Sequence, residues 1–131
     1  KSTSYLPGKN VIKATLLPHF PAYHWSENCS ALPLIDEPGL SLKAEIMPSG
    51  TSEAPHFHEK ARQYFLVQRG RATFRVPEGV ISVPAGATLL IPAGLPHCIS
   101  NREATTLEFL VLSLPSTTDD RISLPDILPP P

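Results

Sequence analysis

Gly50-Thr51-Ser52-Glu53-Ala54-Pro55-His56-Phe57-His58, continued through Gln63 to Gly70, and Gly86-Ala87-Thr88-Leu89-Leu90-Ile91-Pro92-Ala93-Gly94-Leu95-Pro96-His97-Cys98-Ile99-Ser100-Asn101 decide how this chain is read. Together the two runs hold three of its five histidines. Side chains alternate across a strand, so His56 and His58, one residue apart, leave the same face and can grip one ion. His97, delivered by a neighbouring strand, closes the grip. Neutral imidazole is a good donor to Zn, Ni, Fe, Mn or Cu, and the expected cofactor is one divalent transition metal ion.

Outward from these runs the chain reads as short strands. Leu40, Leu42, Ala44 and Ile46 alternate with Ser41, Lys43, Glu45 and Met47, a period of two. Residues 63–69 are apolar on both faces at their centre, which implies cover from a second sheet or from a subunit partner. Residues 71–76, 80–83, 87–91, 97–101 and 107–114 continue the pattern, with Gly or Pro turns between them and no helical period. Val11–Leu17 reads as a strand, and the aromatic, proline-broken segment Pro18–Trp25 as irregular cover over something apolar. The fold class is all-β, a sandwich or barrel. Three regions are expected: an arm and first strand or strands over 1–38, a barrel core over 39–115, and an extended Pro-rich tail over 116–131, pinned along the barrel or loose.

The spacing resembles the paired motifs of the cupin family. The first motif is met by Gly50, His56, His58 and Gly70, the second by Gly86, Pro92, Gly94, His97 and Asn101. Between them lie Arg71 to Ala85, a short spacer similar to that of compact members. The resemblance implies a double-stranded β-helix, or jelly roll, with a metal bound by His56, His58, His97 and the residue at the acidic position. That position carries Gln63 here, so the set is His-His-Gln-His in place of His-His-Glu-His. The same set is known in small cupins resembling unsaturated-uronate ring-opening proteins, and related sites occur among aromatic polyketide cyclases. A glutamine offers only a neutral carbonyl oxygen, either as a direct ligand or as an orienting neighbour or bystander of the ligands, which leaves the ion's charge unneutralised. Weaker metal retention and stronger polarisation of a bound carbonyl or hydroxyl follow.

Side-chain alternation sends Cys98 and Glu59 away from the imidazoles, so the proton-transfer group must come from another strand or loop. Tyr64, Arg75 and Glu45 are the candidates carried forward, with Glu108, Tyr23 and His24 behind them. Arg62 and Arg75 are either forks for a substrate carboxylate or solvated surface arginines. Neither a Gly-x-Ser-x-Gly elbow, a phosphate loop nor a dinucleotide fingerprint occurs. The expected function is a metal-dependent enzyme using the ion as Lewis acid on a small carbonyl-bearing or enolisable metabolite, of isomerase, cyclase or ring-opening type. A metal-dependent dioxygenase and a non-catalytic metabolite-binding protein are the alternatives.

With 131 residues the chain makes one domain. Its 11 Lys and Arg against 12 Asp and Glu give no electrostatic reason to expect nucleic acid or an anionic membrane, so a small molecule is the expected partner. Two cysteines are too few for a disulfide scaffold, and neither a secretory leader nor an 18-residue apolar run is present. A cytoplasmic protein is expected. The two-faced strand at 63–69 and the aromatic arm around Trp25 further suggest a homodimer.

Overall fold

The computed structural model describes residues 12–131 and contains, among them, strands and turns but no helix. Eleven strands follow one another: β1 (Tyr23–Ser26), β2 (Cys29–Glu37), β3 (Leu40–Met47), β4 (His56–Phe57), β5 (Arg62–Arg69), β6 (Arg71–Val76), β7 (Gly79–Pro84), β8 (Thr88–Ile91), β9 (Cys98–Ser100), β10 (Leu107–Leu114) and β11 (Ile122–Ser123). One sheet has the order β1-β2-β3-β10-β5-β8 and a second β7-β6-β9, with β11-β4 as a separate pair. Backbone bonds between His56 and His97, at 3.1 and 2.9 Å, and between Glu53 and Ile99, at 3.0 Å, stitch that pair onto β9. The barrel therefore has two antiparallel layers. This is the all-β double-stranded β-helix that the motif spacing implies.

Alternation explains the packing. From β5, Gln63, Phe65 and Val67 point inward; from β10, Leu107, Phe109, Val111 and Ser113; from β6, Ala72, Phe74 and Val76. Phe65 meets Phe74 edge to face with ring centroids 4.9 Å apart, a favoured aromatic geometry. Polarity is graded along the inside. In β3 and β10, Met47 lies opposite Leu107, Glu45 opposite Phe109, Lys43 opposite Val111 and Ser41 opposite Ser113. Ser113 is in turn opposite Gln63 of β5. One end of the barrel is thus a dry apolar core, and the other is polar. Gly70 makes the β5–β6 connection possible: its φ is +83°, and a Cβ there would stand 2.8 Å from the Thr106 carbonyl oxygen.

Two expectations about the N-terminal third are corrected. No strand forms over residues 12–17, which are exposed and have no ladder partner among the described residues; Val11 lies outside them. An extended apolar run needs a sheet edge to bond, and Pro18 ends it before one is reached. The stretch expected to be irregular is so only over 18–22; its end, from Tyr23, enters β1, which forms a hairpin with β2. Glu27 and Asn28 turn it with φ of 42° and 68°, both in the left-handed region that two-residue hairpins require. Trp25 does pack on the apolar core.

Candidate metal centre

His56 begins β4, His58 follows it, and His97 precedes β9, so the two layers of backbone described above hold the three rings against one another. Ring centroids are 4.9 Å apart for His56 and His58, 4.5 Å for His56 and His97 and 5.7 Å for His58 and His97. One potential ligand atom from each lies within 4.8 Å of the others. The rings are 2%, 5% and 1% exposed for His56, His58 and His97. Each is oriented by a backbone carbonyl on Nδ1: His56 by Ala54 at 2.9 Å, His97 by Leu95 at 2.8 Å, and His58 by Asp120. A carbonyl can only accept, so each Nδ1 carries the proton and each Nε2 keeps its lone pair. Metal-binding histidines are characteristically held in this way.

The protonation states agree with that geometry. Burial holds the His56 imidazole at about 3, with His97 adding repulsion, and burial holds His97 at about 4. His58 is lowered as well, chiefly by burial. Among the described residues four buried side-chain polar atoms lack a hydrogen-bond partner, Trp25 Nε1, Ser41 Oγ, His97 Nε2 and Gln63 Oε1, and the last two belong to this cluster. Gln63 is fixed by its Nε2, which donates to Ser113 Oγ at 3.1 Å. Unpartnered buried acceptors are costly unless a cation or a donor satisfies them, and a divalent metal fits this donor set. The three histidines can therefore hold a metal.

His56 and His58 open onto a cavity of about 470 Å³ at the polar end of the barrel, which Gln63 and Glu45 also line, while His97 is packed behind them. Burial pushes the Glu45 carboxyl up to about 7, opposed by Lys43 and Arg121. The other two candidates for proton transfer are elsewhere. Tyr64 alternates with the inward Gln63 and Phe65, lies on the outer sheet face and is 39% exposed. Arg75 alternates with the inward Phe74 and Val76 and is held by Asp126 at 2.9 Å outside the barrel. It sits against Cys98, which alternation likewise turns away from the imidazoles. Glu108 pairs with Arg69 on the outside at 3.2 Å, and Arg62, His24 and Glu59 are exposed. Tyr23 does reach the cavity.

Three charged cavity residues escaped the sequence reading: Lys43, Glu53 and Arg121. Glu53 Oε1 accepts the Ile99 N–H at 3.1 Å, and burial pushes its carboxyl up to about 8. It stands three residues before His56, between the family's fixed positions. Arg121 comes from the tail, which carries no periodic signal.

These features define a β-barrel of the jelly-roll class with a histidine cluster at one end. Residues 43–113 match the family model described as a cupin domain, and the chain belongs to the cupin family. No curated protein sequence matches the chain significantly. Solved structures similar to it include a sugar phosphate isomerase of the cupin superfamily from Silicibacter pomeroyi, at 20% identity and TM-score 0.61 over 67% of this chain; the match spans 60% of that protein's length. The Cnp3 cupin domain of Schizosaccharomyces pombe is similar at 15% identity and TM-score 0.67, over 81% of this chain and 76% of that one. Oxalate decarboxylase of Lactobacillus farciminis, in complex with formate, is similar at 22% identity and TM-score 0.68, over 79% of this chain and 33% of that one. At these identities the likeness is one of fold.

Proposed function

We propose that this chain is a metal-dependent enzyme acting on a small carbonyl-bearing or enolisable metabolite, in isomerase, cyclase or ring-opening chemistry. His56, His58 and His97 hold one divalent transition metal ion, Zn, Ni, Fe, Mn or Cu, with Gln63 Oε1 as a neutral fourth ligand. The ion supplies Lewis-acid polarisation of a substrate oxygen. The observation that carries this reading is one cavity shared by His56 and His58 of the cluster, Gln63 and Glu45, whose carboxyl is pushed up to about 7 by burial. A carboxyl poised near neutrality can both take and return a proton, so Glu45 is the proton-transfer group. Gln63, fixed by Ser113, adds no charge to the site. Tyr64 and Arg75, outside the cavity, have no part in the reaction.

Proton–deuterium exchange beside the carbonyl of small ketones and oxo acids, followed by NMR with metal-loaded protein, tests this. Exchange should disappear in His56→Ala/His58→Ala and fall at least about tenfold in Glu45→Gln, the range of a lost general acid or base. Oxygen consumption would reassign the protein to the dioxygenases. Ligand binding without exchange or turnover would make it a binding protein.

The outer face of the six-stranded sheet supports a homodimer. Leu42 and Ala44 of β3, Leu110 and Leu112 of β10 and Tyr64 and Leu66 of β5 adjoin there through the ladder registers. A self-complementary apolar sheet face is a common dimer surface. Light scattering should report a dimer, and Leu66→Lys should yield a folded monomer; a monomeric wild type would overturn this. The free, buried thiols of Cys29 and Cys98 favour a reducing, cytoplasmic setting.

A further inference from the structure

Period-two alternation in β3 turns its polar side inward: Lys43 and Glu45 line the cavity while Ala44 and Ile46 face outward. Placing a lysine inside a barrel is costly unless a counter-charge meets it. Its ammonium lies 5.7 Å from the centroid of the Tyr23 ring, and Tyr23 also lines the cavity. The second cation, Arg121, is held in place by its neighbours. Before it, the Asp120 carboxylate accepts the N–H groups of Glu59, Lys60 and Ala61; after it, Ile122 and Ser123 pair with Phe57 and His56. Among the described residues the only acidic group within ion-pair range of the Arg121 guanidinium is Glu53 Oε2, at 3.9 Å, too far to hydrogen-bond. The other Glu53 oxygen is occupied by the Ile99 N–H. Arg121 is half exposed, as expected for a residue at the cavity mouth.

We infer that Arg121, assisted by Lys43, is the recognition point for a carboxylate on the ligand of this cavity, which is therefore a small organic acid carrying a second oxygen function for the histidine end. The inference deepens the function proposed above and rests on it for the histidine end alone. The lining holds two carboxyls, Glu45 and Glu53, besides the two cations, but Glu53 is engaged by the Ile99 N–H and stands 3.9 Å from Arg121, which leaves the guanidinium's hydrogen-bond donors for a ligand. A single planar guanidinium presents the two parallel N–H donors that a carboxylate accepts. A phosphate dianion calls for more donors than one fork and one ammonium.

The test uses levulinate, a keto acid whose carbonyl lies away from its carboxylate, and its neutral amide. Binding is measured by calorimetry with both metal-loaded and chelator-treated full-length protein. Levulinate should bind at least about tenfold more tightly than levulinamide, the magnitude of one charge-assisted pair. Arg121→Gln should abolish that preference while leaving metal content and levulinamide affinity unchanged, and Arg121→Lys should retain part of it. Equal affinities for acid and amide in the wild type, an unchanged preference in Arg121→Gln, or no saturable levulinate binding would each overturn the inference. So would inorganic phosphate displacing levulinate through Arg121 at lower concentration. A preference for the acid that persists in chelator-treated and His56→Ala/His58→Ala protein would keep the carboxylate site even if the metal reading failed. Loss of binding in those samples alone, with Arg121→Gln behaving as wild type, would do the reverse.

Discussion

The backbone carbonyl of Asp120 accepts the Nδ1–H of His58, a residue 62 positions earlier in the chain. The same residue's carboxylate closes on the backbone of Glu59, Lys60 and Ala61 at 2.7, 3.1 and 3.0 Å. Burial opposes ionisation of this carboxyl, but the three N–H donors outweigh it and hold it below the ordinary range. A segment beyond the matched family region thus orients one member of the histidine cluster. Asp120→Ala should cost about 3 kcal/mol in urea unfolding, since hydrogen bonds to a charged acceptor are lost and their donors are left behind. Metal affinity should fall about 10- to 100-fold, as for other losses of a ligand's supporting partner. Unchanged metal affinity in a folded Asp120→Ala protein would detach the tail from the site.

Removing the metal should lower the melting temperature. An ion present at about 100 times its dissociation constant, and bound only by the folded barrel, contributes about 2.7 kcal/mol. Scanning calorimetry before and after chelation should therefore separate two transitions in the wild type and only one in His56→Ala/His58→Ala. Two transitions in the double variant would put the ion elsewhere.

Gln63 and Ser113 make opposite predictions for metal retention. Gln63→Glu supplies a charged oxygen at the position of the unpartnered Oε1, so dialysis against a chelator should remove metal more slowly than from wild type. Ser113→Ala frees the amide from its 3.1 Å anchor and should speed the loss. Identical loss rates for all three proteins would exclude Gln63 from the metal's surroundings.

Metal-free protein should show a stability maximum in pH. The folded state holds His56 and His97 at about 3 and 4, with His58 also lowered, while the unfolded chain takes up these protons below about 6.5. Stability from the histidines is thus present above that value and lost as pH falls. Glu45 and Glu53 act with the opposite sign: burial raises their folded values to about 7 and 8, above the ordinary glutamate value of 4.5, so their contribution fades as pH rises toward 8. Urea unfolding after chelation should be most resistant near pH 6 to 7, and Glu53→Gln should flatten the alkaline decline. A monotonic profile, or an alkaline decline that Glu53→Gln leaves unchanged, would contradict these burial effects.

Much of the frame is legible locally. Gly and Pro punctuation marks the turns, period-two runs mark β3 and β6, largely apolar runs mark β5 and β10, and the one-residue gap between His56 and His58 is itself a geometric statement. The hairpin of β1 and β2 was missed because Glu27-Asn28 is a weak turn signal, and because Pro33 in β2 reads as a strand breaker although it is buried there. Residues 12–17 fail in the opposite direction: apolar alternation creates a strand only when an edge is available to bond it.

By itself, then, the sequence determined the strand-forming segments, the family spacing and which imidazoles could meet, because all three depend on neighbours in the chain. Tertiary structure decided which side of each strand faces inward, and alternation alone is symmetric between the two sides. In β3 the polar side won, giving Lys43 and Glu45 to the cavity; in β5 and β6 the apolar side won, turning Tyr64 and Arg75 out. It also decided that Asp120 supports His58 and that Arg121 reaches the cavity mouth. Both come from the tail, whose contact with the barrel depends on closure of a loop some sixty residues long, and no local pattern records that.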